Sequence, residues 1–456
     1  MLFNSLAFLC FIPLFMLAYW PARGRMRLWV MLLGSLVFYA WWDWRFIFLL
    51  LFSALVDYSL GILLENERDD RLRRRLIVIS VCVNLGLLGF FKYFNFFVQS
   101  FSPAGTFDVM KIVLPVGISF YVFKTMSYTI DVYRRTQTAE RDLLKFTTFV
   151  VFFPELVAGP IVRASRLLPQ LQRDHKFSYE RMVAGLTMIA SGYVRKVAIA
   201  DTIAPLVDVR FAHPEAHNSW SLLMGVYLYA FQIYCDFSGY SSIAIGLARI
   251  LGFDFGINFD RPYFSRSFSE FWSRWHISLS SWLRDYLYVS MGGNRGGRWR
   301  TYRNLMVTML LGGLWHGASW TFVFWGALHG TYLVIERALG VRRASVAFNL
   351  LHMVVVFHLT CFAWVFFRAH SFSNAWQILT SIASFQGSVL AMDNRGRIAK
   401  SVVMIAVLLV FEALSFLRKR EEEPTPWMRL AFVAACAWVV VFFGTFSGNN
   451  FIYFQF

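Results

Sequence analysis

Apolar segments long enough to cross a lipid bilayer recur along nearly the whole chain, with short arginine-rich loops between them. A helix needs about 20 mainly apolar residues to cross the hydrocarbon core of a membrane. Segments of this kind lie near residues 2–20, 28–43, 46–64, 76–98, 111–131, 182–206, 219–250, 304–320, 321–337, 345–367, 399–417 and 428–444. The sequence therefore predicts an all-α, polytopic integral membrane protein with about twelve transmembrane helices in one domain, residues 1–456.

The composition favours one long membrane protein over a soluble domain with an anchor. Of the 456 residues, 57% are hydrophobic and 16% are charged, whereas a typical soluble domain carries about 25% charged residues. The first apolar segment lacks a basic start and a small-residue cleavage site, so we expect a retained helix there and not a signal peptide. The five cysteines all fall inside apolar segments, where small buried side chains are expected.

The basic residues indicate how the chain lies in the membrane. Lys and Arg number 44, Asp and Glu number 27, and the resulting charge of +17 would suggest nucleic-acid binding in a soluble protein. Here the basic residues cluster in short loops, as the positive-inside rule describes, so we expect no nucleic-acid partner. The basic loops are 21–27, 65–75, 133–145, 163–181, 294–303, 336–343 and 418–429. Twelve alternating spans place all of them on one face, which should be cytoplasmic, with both termini on the opposite side.

Three further stretches are not expected to be ordinary spans. Residues 144–162 and 264–290 are apolar but are interrupted by Pro, Arg, Glu or His. They suit re-entrant or interfacial segments, whose irregular backbone must be sheltered by protein or line a wet cavity. Residues 370–391 have apolar side chains at helical spacing, so this segment is either an amphipathic helix on the membrane surface or a short docked helix.

Two histidines stand out in the second half of the chain. His316, in GGLWHGASW, lies at the end of a predicted span, where a histidine is costly to bury and is a functional candidate by default. Its small neighbours would let a substrate or another backbone approach closely. His276, in FWSRWHISLSSWLRDY, would sit on a helix with Trp272, Trp275 and Leu279 near one face. A structural alternative stays open for each: a hydrogen-bonded histidine inside the bundle, or an interfacial histidine.

Other polar residues inside apolar stretches are likewise open to a functional or a structural interpretation. Asp236 could orient a histidine, bind a polar substrate or hold helices together, and Arg163 could meet an anionic donor or anchor the chain. His329, in WGALHG, is either functional or structural. His213 and His217 form at most a weak metal pair, and without HExxH, CxxC or an acidic cluster we predict no metal site.

Several motifs of well-known enzyme classes are missing from the sequence. The chain has no GxSxG nucleophile elbow, no Walker loop and no glycine fingerprint for a dinucleotide. A covalent serine enzyme, an ATP-driven pump and a dinucleotide-dependent enzyme are therefore poorly supported.

Several long motifs resemble one known family. They are LPVGISFYVFKTMSYTIDVYR at 114–134, FFPELVAGPIVR at 152–163, YCDFSGYSSIAIGLARILG at 234–252, RWHISLSSWLRDYLY at 274–288, NLMVTMLLGGLWHGASWTF at 304–322 and the closing NNFIYFQF. On these motifs the chain is similar to the membrane-bound O-acyltransferase family, and within it to the bacterial branch that contains the membrane subunit of alginate O-acetyltransferase.

The resemblance implies a many-helix fold around a membrane-traversing funnel, with a catalytic core near residues 114–337 and a thioester donor that enters from the cytoplasm. It implies that His316 is the catalytic base and that His276 is a second functional position, either catalytic or lining the path. An imidazole suits this role because its ordinary pKa, about 6.5, lies near neutral pH. The side chains expected to line the substrate path are Asp236, Ser238, Trp275, Arg274, Ser278, Arg284, Asp285, Asn304, Trp315 and Arg163.

The resemblance also implies the protein's surroundings. The donor is expected to be acetyl-CoA or another acyl thioester, with no permanently bound cofactor. The chain is expected to lie in the bacterial inner membrane and to work with a periplasmic SGNH-like acetyltransferase and an exopolysaccharide synthesis and export complex. An alginate-like polymer is the expected acceptor, while cellulose and peptidoglycan stay open. Two alternatives remain: a subunit that conducts the acyl group without catalysing its transfer, and a scaffold with structural histidines.

Overall fold

In the computed structural model most of the described residues are helical. The structure describes residues 1–102, 110–156, 159–340, 346–389, 392–417 and 425–446. Within these ranges there is no β-strand, which confirms the all-α prediction. The closing motif NNFIYFQF lies outside the described residues. The chain divides into two compact units, the first made of residues 1–189 and 243–256 and the second of residues 190–242 and 257–456.

Twenty α-helices make up most of the described residues. Those wholly in the first unit are α1 (Leu6–Tyr19), α2 (Gly24–Asp43), α3 (Phe46–Asn66), α4 (Asp70–Leu88), α5 (Phe94–Phe101), α6 (Ile118–Tyr133), α7 (Leu143–Val151), α8 (Phe153–Leu156) and α9 (Ala164–Leu171). The unit boundaries fall within α10 (Tyr179–Tyr193) and α12 (Ser219–Leu251). The second unit also contains α11 (Asp201–Ala212), α13 (Phe268–Arg274), α14 (Ile277–Trp282), α15 (Arg298–His316), α16 (Trp320–Leu339), α17 (Val346–Arg368), α18 (Phe372–Ala383), α19 (Arg395–Leu417) and α20 (Pro426–Phe443).

Part of the described chain is long and apolar enough to cross a membrane. Six helical segments meet this requirement: Phe46–Asn66, Asp70–Phe101, Tyr179–Ala212, Asn349–Arg368, Arg395–Phe416 and Pro426–Phe443. Each coincides with a predicted span, and the chain is therefore a multi-pass membrane protein. The remaining predicted spans are also helical, but they are shorter or less apolar. Helix α15, for example, carries Arg298, Arg300 and Arg303 in its first turns.

Polar caps fix where several helices begin. Ser, Asp and Thr favour this position because the side-chain oxygen accepts a hydrogen bond from a first-turn N–H, which has no partner inside the helix. Caps of this kind are Ser5 before α1, Asp69 before α4, Asp142 before α7, Ser267 before α13, Ser319 before α16, Ser371 before α18 and Thr425 before α20. Ser319 allows α16 to start directly after the short turn that follows His316.

A buried polar network holds the first unit together. Asp57 on α3 accepts hydrogen bonds from Ser80 Oγ (2.6 Å) and Asn84 Nδ2 (2.7 Å), both on α4. Ser80 Oγ also lies 2.8 Å from Thr129 Oγ1 on α6. Because unsatisfied polar groups are costly inside a membrane, these bonds favour one arrangement of the three helices.

The interrupted stretch 144–162 forms short helices instead of a span. Helix α7 ends at Val151, and α8 covers only Phe153–Leu156. Both are far shorter than the roughly 20 residues that a span needs. Lys124 on α6 forms a buried ion pair with Glu155 of α8, so this irregular segment is held to a neighbouring helix by charge.

The second interrupted stretch breaks at His276. Helix α13 ends at Arg274 and α14 begins at Ile277, so the single helix expected to carry Trp272 and Trp275 on one face does not form. The cause is the backbone of His276, which is left-handed, with φ 43° and ψ 54°. A residue in this conformation cannot continue a right-handed α-helix.

Helices α15 and α16 pack antiparallel through glycines. A β-carbon built on Gly313 would lie 2.3 Å from the carbonyl oxygen of Phe322, and one built on Gly326 would lie 2.3 Å from the carbonyl oxygen of Met309. Small residues allow this close approach of two backbones, which is a common contact between membrane helices. The contact holds the end of α15, and with it His316, against the first turns of α16.

Replacing Gly313 with alanine is expected to destabilise the protein by about 1–3 kcal/mol, the usual cost of overpacking a core. The added methyl group would meet a backbone carbonyl, which can move only if α16 shifts. Gly86→Ala is the matched control, because Gly86 also lies within a helix but its β-carbon would meet no atom within 4 Å. Melting temperatures in one detergent provide the measurement, and equal values for the two variants would contradict the close packing.

Candidate active site

His316 is the last residue of α15 and is buried, with 3% of its surface exposed. Its imidazole is surrounded by aromatic rings from three helices. The ring centroids of Trp315 on α15, Trp325 on α16 and Phe367 on α17 lie 5.1, 5.0 and 5.3 Å away, respectively. Gly317, which follows it, lies against the ring of Phe322, which a β-carbon at this position would meet at 2.2 Å.

His276 is fully buried and joins α13 to α14 in a conformation that residues with side chains rarely adopt. Two backbone hydrogen bonds hold it there. The amide of Ile277 donates to the carbonyl of Asn258, and the amide of Asp260 donates to the carbonyl of Arg274, both at 2.9 Å. A strained residue of this kind costs about 1–3 kcal/mol and persists where the surroundings enforce it, frequently at functional sites.

The side chain of Asn258 favours one tautomer of His276. The backbone N–H of Ser278 lies 3.2 Å from Asn258 Oδ1, and Ser278 Oγ donates to the same oxygen at 2.9 Å. Since a backbone N–H only donates, the atom it meets is the oxygen of the amide. His276 Nδ1 lies 3.3 Å from that oxygen and 3.5 Å from Ser278 Oγ, so these contacts favour the tautomer with the proton on Nδ1. The other nitrogen, Nε2, carries the lone pair and is the atom that can accept a proton.

One indole contacts both histidines. The ring of Trp315 is 6.0 Å from that of His276 and 5.1 Å from that of His316, measured between centroids. Phe237 on α12 packs edge-on against His276 at 4.6 Å. The second unit therefore brings the two histidines singled out in the sequence into one buried aromatic cluster.

A cavity of about 440 Å³ lies next to this cluster within the second unit. Ile277, the neighbour of His276, forms part of its wall. The lining also includes two arginines, Arg284 and Arg337, and several serines. Ligand pockets commonly have volumes of about 300–1,000 Å³ and a few polar groups on mostly apolar walls, and this cavity has that character.

Several other predicted lining residues are tied into ion pairs in the same unit. Arg274 Nη2 lies 2.7 Å from Glu270 Oε1, and Arg284 Nε lies 2.7 Å from Asp285 Oδ1. The Arg284 side chain is nevertheless exposed enough to border the cavity.

Two further predicted residues occupy packed positions. Asn304 donates hydrogen bonds from Nδ2 to the carbonyl oxygens of Met291 (3.1 Å) and Gly293 (3.0 Å), so it holds the turn that precedes α15. Trp275 is buried and packs against Trp364 at 5.1 Å.

Asp236 belongs to a buried charge cluster. Lys196 Nζ lies 2.7 Å from Asp236 Oδ1 and 2.8 Å from Asp201 Oδ1, and all three residues are buried. The lysine comes from a π-helical segment, Val194–Ala200, which joins α10 to α11. Of the three interpretations given to Asp236, the one that holds helices together fits this geometry. Ser238, two residues further along α12, is also buried.

Arg163 differs from the other predicted residues because it lies in the first unit. It is half-buried and immediately precedes α9. Across the described ranges, no three His, Cys, Asp or Glu side chains are placed to hold a metal ion.

Sequence reasoning missed the residues that orient the site. Asn258 lies 18 positions before His276, and nothing local connects the two. Trp325 and Phe367, which contact His316, look like ordinary apolar residues of their helices. Lys196 could have been found from the sequence, because a lysine inside an apolar span is a functional candidate for the same reason as Asp236.

These features define a class of protein: a multi-pass helical membrane protein with two buried histidines beside a cavity in one of its units. A family model described as MBOAT, membrane-bound O-acyltransferase family, matches residues 132–371. That range contains both histidines and every residue that lines the cavity. The chain belongs to the membrane-bound O-acyltransferase family and is an O-acyltransferase.

Individual relatives extend the match over most of the chain. A protein of Azotobacter vinelandii described as a probable alginate O-acetylase is 45% identical over 423 residues, which cover 90% of this chain and 83% of that protein. A peptidoglycan O-acetyltransferase of Helicobacter pylori is 32% identical over 90% of this chain and 86% of its own length. A teichoic acid D-alanyltransferase of Streptococcus thermophilus is 31% identical over 49% of this chain and 57% of its own length.

Lys196→Met is expected to destabilise the protein by about 3–5 kcal/mol, because it leaves two buried carboxylates without the charge that faces them. Asp201→Asn keeps the lysine paired with Asp236 and should cost much less. Lys176→Met changes an exposed lysine and serves as the control. The melting temperature and the folded yield in detergent are the measurements. Equal losses for Lys196→Met and Asp201→Asn would show that the cluster does not balance charge in this way.

Proposed function

We propose that this chain is the membrane subunit that transfers an acetyl group from a cytoplasmic thioester to a hydroxyl group, for O-acetylation of an exported polysaccharide. The observation that carries the proposal is the pair of buried histidines that both pack against Trp315, in the same unit as a cavity whose wall includes Ile277, the neighbour of His276. The relatives support the acetyl group, because two of them are named for O-acetyl transfer, one for alginate and one for peptidoglycan. An alginate-like polymer is the proposed final acceptor because the alginate relative is the more similar of these two.

The chemistry needs a base close to the thioester. In the proposed reaction His316 takes the proton of the acceptor hydroxyl as that oxygen attacks the carbonyl carbon of the thioester. The new carbon–oxygen bond of the ester forms, the carbon–sulfur bond breaks, and the imidazolium gives its proton to the departing thiolate. His276, with its lone pair on Nε2, either orients a reacting group or acts as a second base. Positioned proton transfer of this kind is typically worth about 10²–10⁴-fold in rate.

The cavity with Arg284 and Arg337 is the proposed entrance for the donor. Acetyl-CoA carries phosphate groups, which guanidinium groups bind through paired hydrogen bonds. Met309, in the cavity wall, precedes His316 by seven positions on α15, so the two are about 10 Å apart along a helix that rises 1.5 Å per residue. A donor whose acyl group sits on a long flexible arm would therefore reach from the cavity to His316.

The arrangement in the membrane is part of the proposal. Twelve spans around a funnel would let a cytoplasmic thioester and an acceptor from the opposite side approach the same imidazole. The proposed site of action is the bacterial inner membrane, with both termini periplasmic. The support for this orientation is the set of arginine-rich loops, which fall on one face when twelve spans alternate.

The proposed partners follow from the same reaction. A periplasmic SGNH-like acetyltransferase would receive the acetyl group and place it on the polymer inside an exopolysaccharide synthesis and export complex. The donor substrate brings the acyl group, so the proposal requires no permanently bound cofactor.

His316→Ala is expected to lower acetyl transfer from labelled acetyl-CoA by about 10²–10⁴-fold, the usual loss when a positioned base is removed. The assay uses the full chain in lipid nanodiscs with its partner and polymer, and it measures both the label in the polymer and the free thiol released. His358→Ala is the matched control, because His358 is an exposed histidine on α17 and should leave the rate unchanged.

Three results would contradict this assignment. Unchanged transfer by folded His316→Ala protein would remove that residue from the reaction. Absence of free thiol release from acetyl-CoA by the purified wild-type chain without its partners would favour the alternative of a conducting subunit. A fall in melting temperature that matches the fall in activity would favour a structural histidine.

Asn258→Leu is expected to lower the turnover number by about 10–100-fold, the loss found when a group that orients a metal-bound imidazole is removed. Leucine is close to asparagine in size, but it offers no oxygen to His276 Nδ1 or to Ser278. Asn258→Asp keeps an acceptor oxygen and should retain more activity than the leucine variant. Equal turnover numbers for the two variants, at equal melting temperatures, would show that Asn258 does not orient the ring.

A further inference from the structure

His329 lies on α16 and is fully buried. Neither Nδ1 nor Nε2 of its imidazole has a hydrogen-bond partner among the described residues. The indole nitrogens of Trp272 and Trp325 are also buried and also lack a partner in that part of the chain. The three rings adjoin, since the centroid of His329 lies 5.1 Å from that of Trp272 and 4.8 Å from that of Trp325.

Buried nitrogens that make no hydrogen bond lower the stability of the folded protein. Each buried polar group without a hydrogen bond costs about 1–3 kcal/mol, and native proteins keep such groups few. Here four ring nitrogens on three adjoining side chains are in this position within the described residues. A concentration of this kind indicates a site that a polar group from outside the chain completes.

The three rings connect the cavity to His316. Trp272 lines the cavity, and so does Leu333, which lies one turn beyond His329 on α16. On the other side, Trp325 lies one turn before His329 and contacts the ring of His316 at 5.0 Å. A group that extends from the cavity to His316 along α16 would therefore meet these three rings.

The hydrogen-bond donors and acceptors among these nitrogens indicate which chemical group would bind there. An indole N–H only donates, whereas a neutral imidazole donates through one nitrogen and accepts through the other. The complementary group therefore has an oxygen that accepts and an N–H that donates, which describes an amide. The arm that carries the acyl group in acetyl-CoA contains an amide separated from the sulfur by only two methylene groups.

The geometry points to a polar subsite, formed by His329, Trp272 and Trp325, that binds the amide of the donor arm nearest the sulfur. Binding there would hold the thioester beside His316. The subsite rests on the proposed function, because it takes the same donor. A bound water molecule could satisfy some of the same nitrogens, so the test must separate an amide from water.

The test compares two ligands on two proteins. The ligands are acetyl-CoA and an analogue in which methylene groups replace the amide nearest the sulfur, and the proteins are the wild-type chain and His329→Phe in nanodiscs. In calorimetric titration the wild-type chain should bind acetyl-CoA with a Kd at least about tenfold lower than that of the analogue. The reason is that the analogue leaves the ring nitrogens without hydrogen bonds. In His329→Phe the two ligands should have nearly equal Kd values. The KM for acetyl-CoA should rise in this variant, and kcat should change less.

Further variants guard against a simple folding defect. Phenylalanine keeps the stacking of this ring on Phe271, whose centroid lies 5.9 Å from that of His329, so the melting temperature should stay equal or rise. His329→Gln keeps a donor and an acceptor and should restore part of the preference. Trp272→Phe removes one indole N–H and should lower the preference by a smaller factor. His358→Phe is the control on an exposed histidine of α17.

Equal binding of the two ligands by the wild-type chain would overturn the amide subsite and leave water as the occupant. A preference that survives in His329→Phe would overturn the part played by His329, as would a loss of binding that only follows a loss of thermal stability. Failure of the proposed function would look different: the wild-type chain would prefer the amide ligand but would transfer no acetyl group to a hydroxyl.

Discussion

The direct contact between the backbones of α15 and α16 determines where the site can form. Because Gly313 and Gly326 have no β-carbon, each lies against a carbonyl oxygen of the opposite helix. His316 ends one of these helices, and Trp325 and His329 lie on the other. Their separation is therefore set by backbone packing and not by side chains that can change rotamer. A site that is held in this way needs little reorganisation when a substrate arrives.

Charged and neutral polar groups have different roles inside this protein. Two sets of buried charges form ion pairs, Lys124 with Glu155 in the first unit and Lys196 with two aspartates in the second. Removal of one partner from such a pair strongly destabilises the protein. The pair therefore holds its helices in one relative position. The buried histidines sit among aromatic rings instead. A neutral imidazole needs no counter-charge there.

Much of the fold was accessible from the sequence, because the length of an apolar segment is a local property. The helical character of every predicted span and the two interrupted stretches follow from it. His276 and His316 were found because a polar residue inside an apolar run stands out. The left-handed backbone of His276 could not be predicted, since distant hydrogen bonds to Asn258 and Asp260 enforce it. The pairing of Lys196 with Asp236 was hidden for the same reason.

The π-helical segment Val194–Ala200 has a consequence for how such a protein can evolve. In an α-helix the neighbours on one face are three or four positions apart, yet Lys196 pairs with Asp201, five positions later. The wider π turn makes this possible, and the amide of Asp201 donates to the carbonyl of Lys196 in the i to i+5 pattern. A π turn holds one residue more than an α turn and takes it up within that turn. A single insertion, with no substitution at all, could thus have given an ancestral membrane helix a lysine that faces two acids.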